Sequence, residues 1–194
     1  MYQHGTFTFL GLDIEAFHRE DRDLSAQMAM RSQLLSILDS ALKDAGLYSD
    51  AKILDRGDGA VVVLSCGPLR VLTEVVPRLT ASLDNYNEGQ PSRLLLRLRI
   101  AVHQGTAAYD ERGGYIGRDL TFVFRMIESE TMRRQLATTT QPIVLAVSEQ
   151  VKEEVKAAGA EDQQSIPKLG SLSFQTKETR ATAWTAQLGR CVPA

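Results

Sequence analysis

The sequence predicts an α+β domain on a split βαβ (ferredoxin-like) sheet, with helices packed on one face and a C-terminal β-hairpin. Three observations lead there. Apolar periodicity alternates between the strand and helix repeats in the order β-α-β-β-α-β. The two middle strands meet at a glycine-bearing corner. No linker, repeat or low-complexity run divides the chain, apart from the short loop ATTTQP, so one domain over 1–194 is expected, with its core at about 6–188.

Residues 6–14 (TFTFLGLDI) put Phe7, Phe9, Gly11 and Asp13 on one side and Leu10, Leu12 and Ile14 on the other. This is a strand that is apolar on both faces and ends in a carboxylate. Over 24–45, Met28, Leu35, Leu38, Leu42 and Ala45 recur at helical spacing, and Gly46 follows as a C-cap. AKIL and AVVVL read as strands joined by DRGDG. Residues 68–88 read as a helix that Pro77 bends. A strand over 94–103 (LLLRLRIAVH) and a shorter one near 105–109 lead through DERGG to a helix over 119–136. IVLAV (143–147) is a buried strand, SEQVKEEVKAA a short helix behind a serine cap, and SLSFQTK with TAWTAQL a closing hairpin.

Composition narrows the partners. The 194 residues are 43% hydrophobic and 24% charged, enough for a core of their own. A net charge of −2 and a pI near 5.9 argue against nucleic acid as a partner. Cys66 and Cys191 have neither metal spacing nor the density of a disulfide scaffold, so reduced thiols in a cytoplasmic protein are expected. The opening MYQHGTFTFL lacks a secretory pattern, and no apolar run is long enough to span a bilayer.

The candidate chemistry gathers around LDRGDGAVVVL (54–64), where Asp55, Arg56, Gly57 and Asp58 crowd a corner that one Gly or Asp could turn. Asp13 ends the first strand and Asp58 sits on the hairpin. In a split βαβ sheet those strands are central neighbours, so the two carboxylates can meet. Paired carboxylates beside a phosphate substrate suit Mg²⁺ or Mn²⁺, two per site, because hard cations want oxygen ligands and relieve the like-charge contact. Asp58 also reads as ordinary hairpin chemistry, and Asp55 with Arg56 as a surface ion pair. Arg93, Arg97 and Arg99 share one side of their strand, either facing an anion or lying on a solvated edge. His103 reads as a structural histidine. Neither a P-loop nor a dinucleotide fingerprint occurs.

Taken in order, FLGLDIEAF, ILDRGDGAVVVL, LRLRIAVHQGTA and GGYIGRDLTFVFRMIES resemble the class III nucleotidyl (adenylate/guanylate) cyclase homology domain. DRGDG, FRMIES and TKETRATAW are most similar to a small stand-alone bacterial branch. The resemblance implies a head-to-tail homodimer, with metals held by one subunit and transition-state groups by the other. Asp13 and Asp58 then fall on the metal ligands. The turn Ile14, Glu15, Ala16, Phe17 and His18 offers backbone N–H groups to a triphosphate. Arg99 and Lys177 fall on phosphate contacts, and Arg125 on the transition-state arginine.

Thr121 stands where the family has an asparagine that reaches the ribose. Leu54 and Gly114 occupy the positions that select the base, and neither side chain can hydrogen-bond a purine edge; losing such a reader costs some 10⁴-fold in discrimination. The implied activity is conversion of a nucleoside triphosphate, UTP or CTP being candidates, into a 3′,5′-cyclic nucleotide and pyrophosphate. Small cyclases of this type in antiphage defence make cUMP or cCMP for a downstream effector. The alternative is a degenerate cyclase-like domain that binds a nucleotide or protein partner without turnover.

Overall fold

The computed structural model describes residues 3–109, 114–161, 166–175 and 180–192. The elements run β1 (Gln3–Ile14), α1 (Leu24–Asp44), β2 (Ala51–Asp55), β3 (Gly59–Leu64), α2 (Pro68–Arg70), a π-helical turn (Val71–Val75) and α3 (Val76–Asn87). They continue with β4 (Leu98–Tyr109), β5 (Tyr115–Ile116), α4 (Arg118–Glu128), α5 (Glu130–Thr138), β6 (Ile143–Ser148), α6 (Glu149–Ala157), β7 (Gly170–Gln175) and β8 (Arg180–Leu188). Among the described residues the strands form one sheet in the order β2-β3-β1-β4-β6-β8-β7, with β5 paired to β4. The closing hairpin of β7 and β8 is present, and β4 and β6 run parallel across the α4–α5 crossover.

Helices cover both faces of the sheet rather than one. Strands β1, β3, β4 and β6 carry apolar side chains on both sides, and an uncovered face would leave a row of them in water. On one face Leu10, Leu12, Ile14, Val62, Ile100 and Leu145 pack with α1, α3 and α6. On the other, Phe9, Val61, Val63, Ala101 and Val144 pack with α4 and α5. The alternation expected of residues 6–14 therefore supplies two separate cores.

Asp23 caps α1 by accepting from the Ala26 N–H at 2.8 Å. Met30, Leu34, Leu38, Ala41 and Leu42 form its buried stripe. Met28, expected on that stripe, is instead 64% exposed, because it lies two residues, about 200° around the helix, from Met30. Gly46, at φ 64°, closes the helix while the Leu47 N–H reaches back to Leu42 O at 2.9 Å.

Three further expectations shift. The helix over 68–88 is interrupted by a π turn just ahead of Pro77. Proline has no N–H for the Thr73 carbonyl, and the Val76 N–H instead bonds Val71 O across the widened turn. The helix over 119–136 is two helices, because Ser129 is extended and its hydroxyl oxygen caps α5 at Met132 N. The strands at 94–103 and 105–109 are one strand that begins at Leu98; Gly105 continues it, since the space for a Cβ there is filled by the Asp119 side chain.

Candidate active site

Asp13, at the end of β1, lies opposite Gly59 of β3 on one side and Arg99 of β4 on the other. The hairpin reaches this point by a close approach: a Cβ on Gly59 would collide with the Leu12 carbonyl, so only glycine lets β3 start here. The Ile14 N–H bonds Asp58 O at 2.9 Å, and the Arg56 N–H bonds Gly59 O at 2.9 Å. Asp13 and Asp58 thereby line one cleft of about 80 Å³ with Arg56, Gly59, Phe124 and Glu128. Burial pushes the Asp13 pKa up to about 6 despite the attraction of Arg99, and the neighbouring charge of Asp58 pushes the same way.

The other charges of the DRGDG corner point elsewhere. Asp55 pairs with Arg31 of α1 and accepts from the Gly57 N–H at 2.9 Å, while Arg56 lies 4.2 Å over the Phe124 ring. The expected Asp55–Arg56 ion pair is not made, because each residue has a partner on a packed helix. Arg93 and Arg97 precede β4 and do not share its face with Arg99. Arg97 pairs with Glu15 at 3.0 Å and donates to the carbonyls of Leu136 and Thr139. Arg99 donates to Oδ2 of Asp13.

The turn after β1 is shaped by a residue that the sequence reading passed over. Arg22, buried, donates to the carbonyls of Glu15 (2.5 Å), Ala16 (2.8 Å), Arg93 (3.1 Å) and Leu95 (3.2 Å). It holds Ala16 at φ 51°, a left-handed conformation that costs alanine about 1 kcal/mol. The N–H groups of Ile14 and Glu15 bond Asp58 O and Arg97 O, and no backbone acceptor among the described residues takes those of Ala16, Phe17 and His18. Phe17 is buried and His18 exposed.

Thr121 and Arg125 lie on the other flank of α4, in a cleft of about 820 Å³ with His103, Gly117, Arg118, Asp119 and Phe122. Spacing explains the division: 118, 121, 122 and 125 share one helical face, whereas 124, 127 and 128 face the aspartates. One chain thus carries the carboxylates and Arg125 in two different clefts. The Thr121 hydroxyl donates to Gly117 O at 3.0 Å.

His103 sits beneath this cleft, its Nδ1 2.8 Å from Ser148 Oγ and its Nε2 3.5 Å from Asp119 Oδ1, and burial lowers its pKa. Asp119 Oδ2 accepts from the Thr106 N–H at 2.6 Å, tying the first turn of α4 to β4. Leu54 lies on β2 opposite Val61 and packs toward the α4 side, and Gly114 precedes β5. Lys177 falls outside the described residues.

No protein-family model matches the chain, and no curated protein matches it by sequence. Solved structures do match. An adenylate/guanylate cyclase/hydrolase from Silicibacter pomeroyi superposes with a TM-score of 0.68 at 17% identity over 100% of both chains. An adenylyl cyclase from P. aeruginosa gives 0.64 at 14% identity, again over 100% of both. The guanylate cyclase domain from Catenaria anguillulae in complex with GTP gives 0.59 at 14%, covering 96% of this chain and 99% of that one.

The chain has the class III cyclase fold. Within it, Asp13 and Asp58 fit a hard divalent cation by the chemistry of their oxygens, and a cation between them would relieve the burial and, to a lesser degree, the neighbouring Asp58 charge that raise Asp13. Among the described residues no group of three or more His, Cys, Asp or Glu side chains forms a ready-made metal site. Two carboxylates would leave further positions on the cation for phosphate oxygens. Cys66, whose thiol burial pushes up, and exposed Cys191 lie outside both clefts of the cyclase fold. No helix among the described residues is long and apolar enough to cross a membrane.

Proposed function

We propose that this chain is a nucleotidyl cyclase that acts as a homodimer and converts a nucleoside triphosphate into a 3′,5′-cyclic nucleotide and pyrophosphate. The observation that carries the reading is the meeting of Asp13 and Asp58 in one cleft of a cyclase fold. Arg125 lines a different cleft of the same chain, so a second copy docked head to tail would complete each site.

In this reading Asp13 and Asp58 hold Mg²⁺ or Mn²⁺. A bound divalent pair lowers the pKa of the ribose 3′-hydroxyl and neutralises phosphate charge. The N–H groups of Ala16, Phe17 and His18 face the triphosphate, with Arg99 and Lys177 as its cationic contacts. Arg125 of the opposite copy neutralises charge that builds on the α-phosphoryl group as the 3′-oxygen bonds to phosphorus and pyrophosphate leaves. Leu54 and Gly114 present no polar reader to a purine, which makes UTP and CTP the first substrates to try. The cyclic product would act on a separate effector.

A second reading has its own observation. The Thr121 hydroxyl gives its proton to Gly117 O, so it has none to offer a ribose, and the cleft could bind a nucleotide or protein partner without turning it over. One assay decides: each of the four ribonucleoside triphosphates is incubated with Mn²⁺, and cyclic product and pyrophosphate are measured. Turnover that Asp58→Asn abolishes supports the cyclase. Nucleotide affinity without product from any triphosphate supports the binding domain.

A further inference from the structure

Asp13 has a cationic partner already. Arg99 stands directly across from it in the β1–β4 register, and its Nη2 donates to Asp13 Oδ2. Both side chains are largely buried, 11% exposed for Arg99 and 19% for Asp13. The guanidinium fork is only partly used in this position, because the Arg99 Nε–H is buried without an acceptor among the described residues. A divalent cation reaching Asp13 would meet this positive charge at contact range, where like charges repel strongly in a partly desolvated cleft. A triphosphate, by contrast, offers the same fork several anionic oxygens at once.

We propose that Arg99 is a stand-in cation: it neutralises Asp13 before ligands bind and moves to the triphosphate when the nucleotide arrives, so that divalent ion and triphosphate bind cooperatively. The proposal rests on the reading of Asp13 and Asp58 as cation ligands. It gives Arg99 effects of opposite sign on two ligands, which a residue that only contacted phosphate, or only braced the strands, would not have. By linkage, whatever triphosphate binding adds to the ion's affinity, the ion adds to that of the triphosphate.

Calorimetry on the whole chain with Mn²⁺ alone, and separately with a nucleoside triphosphate in chelator, tests this. Arg99→Gln is expected to bind Mn²⁺ about tenfold or more tightly than the wild type, and the metal-free triphosphate about tenfold or more weakly. Asp13→Asn/Arg99→Gln is expected to lose the gain for Mn²⁺. Mn²⁺ affinity that is unchanged or weaker in a folded Arg99→Gln overturns the stand-in role. If the wild type and Arg99→Gln both bind no Mn²⁺, the assignment of Asp13 and Asp58 as cation ligands falls as well. Should Arg99→Gln not fold, the wild type decides: the Arg99 Nε–H resonance is expected to move on addition of Mg²⁺ alone. A resonance that stays put at saturating Mg²⁺ overturns the proposal.

Discussion

Asp13 bears a charge that its surroundings resist. With its carboxyl pushed up to about 6 in the folded chain against 3.8 as the ordinary value, its favourable contribution to stability is complete below about pH 4 and is lost as pH rises through about 6. In chelator, Asp13→Asn should therefore gain up to about 2–3 kcal/mol of unfolding free energy relative to the wild type between about pH 4 and pH 7.5. The gap should close as pH falls through 6; a gap of constant size would show that burial is not its cause. Arg22 makes a contrasting case. Arg22→Met removes the guanidinium from the carbonyls of Glu15, Arg93 and Leu95 and leaves Ala16 O with the Arg19 N–H alone, and chemical denaturation should show a loss of about 2–4 kcal/mol. Ala16→Gly should be close to neutral, whereas Ala16→Val, β-branched at φ 51°, should destabilise.

Among the elements, β1 and the β2–β3 hairpin were legible because alternation and an Asp-Gly corner are local signals, and they set Asp13 beside Asp58. The arginines were not legible, because their partners are distant in sequence. Arg22, in the run HREDRD, resembles a solvated charge until residues 93 and 95 fold over it. Arg97 shares a face with Arg99 only if the strand starts at 94, and it starts at 98. The break at Ser129 was hidden because the apolar pattern continues through it while the backbone does not. Ser129→Ala should cost about 1 kcal/mol and should increase hydrogen exchange in α5 more than in α4. Gly59→Ala, which forces β3 away from Leu12 O, should cost more than about 2 kcal/mol and separate Asp58 from Asp13, with metal-dependent turnover lost first.

At the scale of the whole molecule, the two flanks of α4 give a complementation experiment. Asp58→Asn and Arg125→Ala should each be inactive as pure proteins. Mixed in equal amounts, they form heterodimers with one intact site, and about a quarter of wild-type activity should return. If nothing returns while dimers exchange freely, the acids and the arginine do not act across an interface. The proposed dimer also ties output to abundance. With each half of its chemistry on opposite sides of one helix, a lone chain would be silent, and below the dissociation constant of the dimer a halved concentration would quarter the rate. Simple accumulation of the protein would then be enough to switch its signal on.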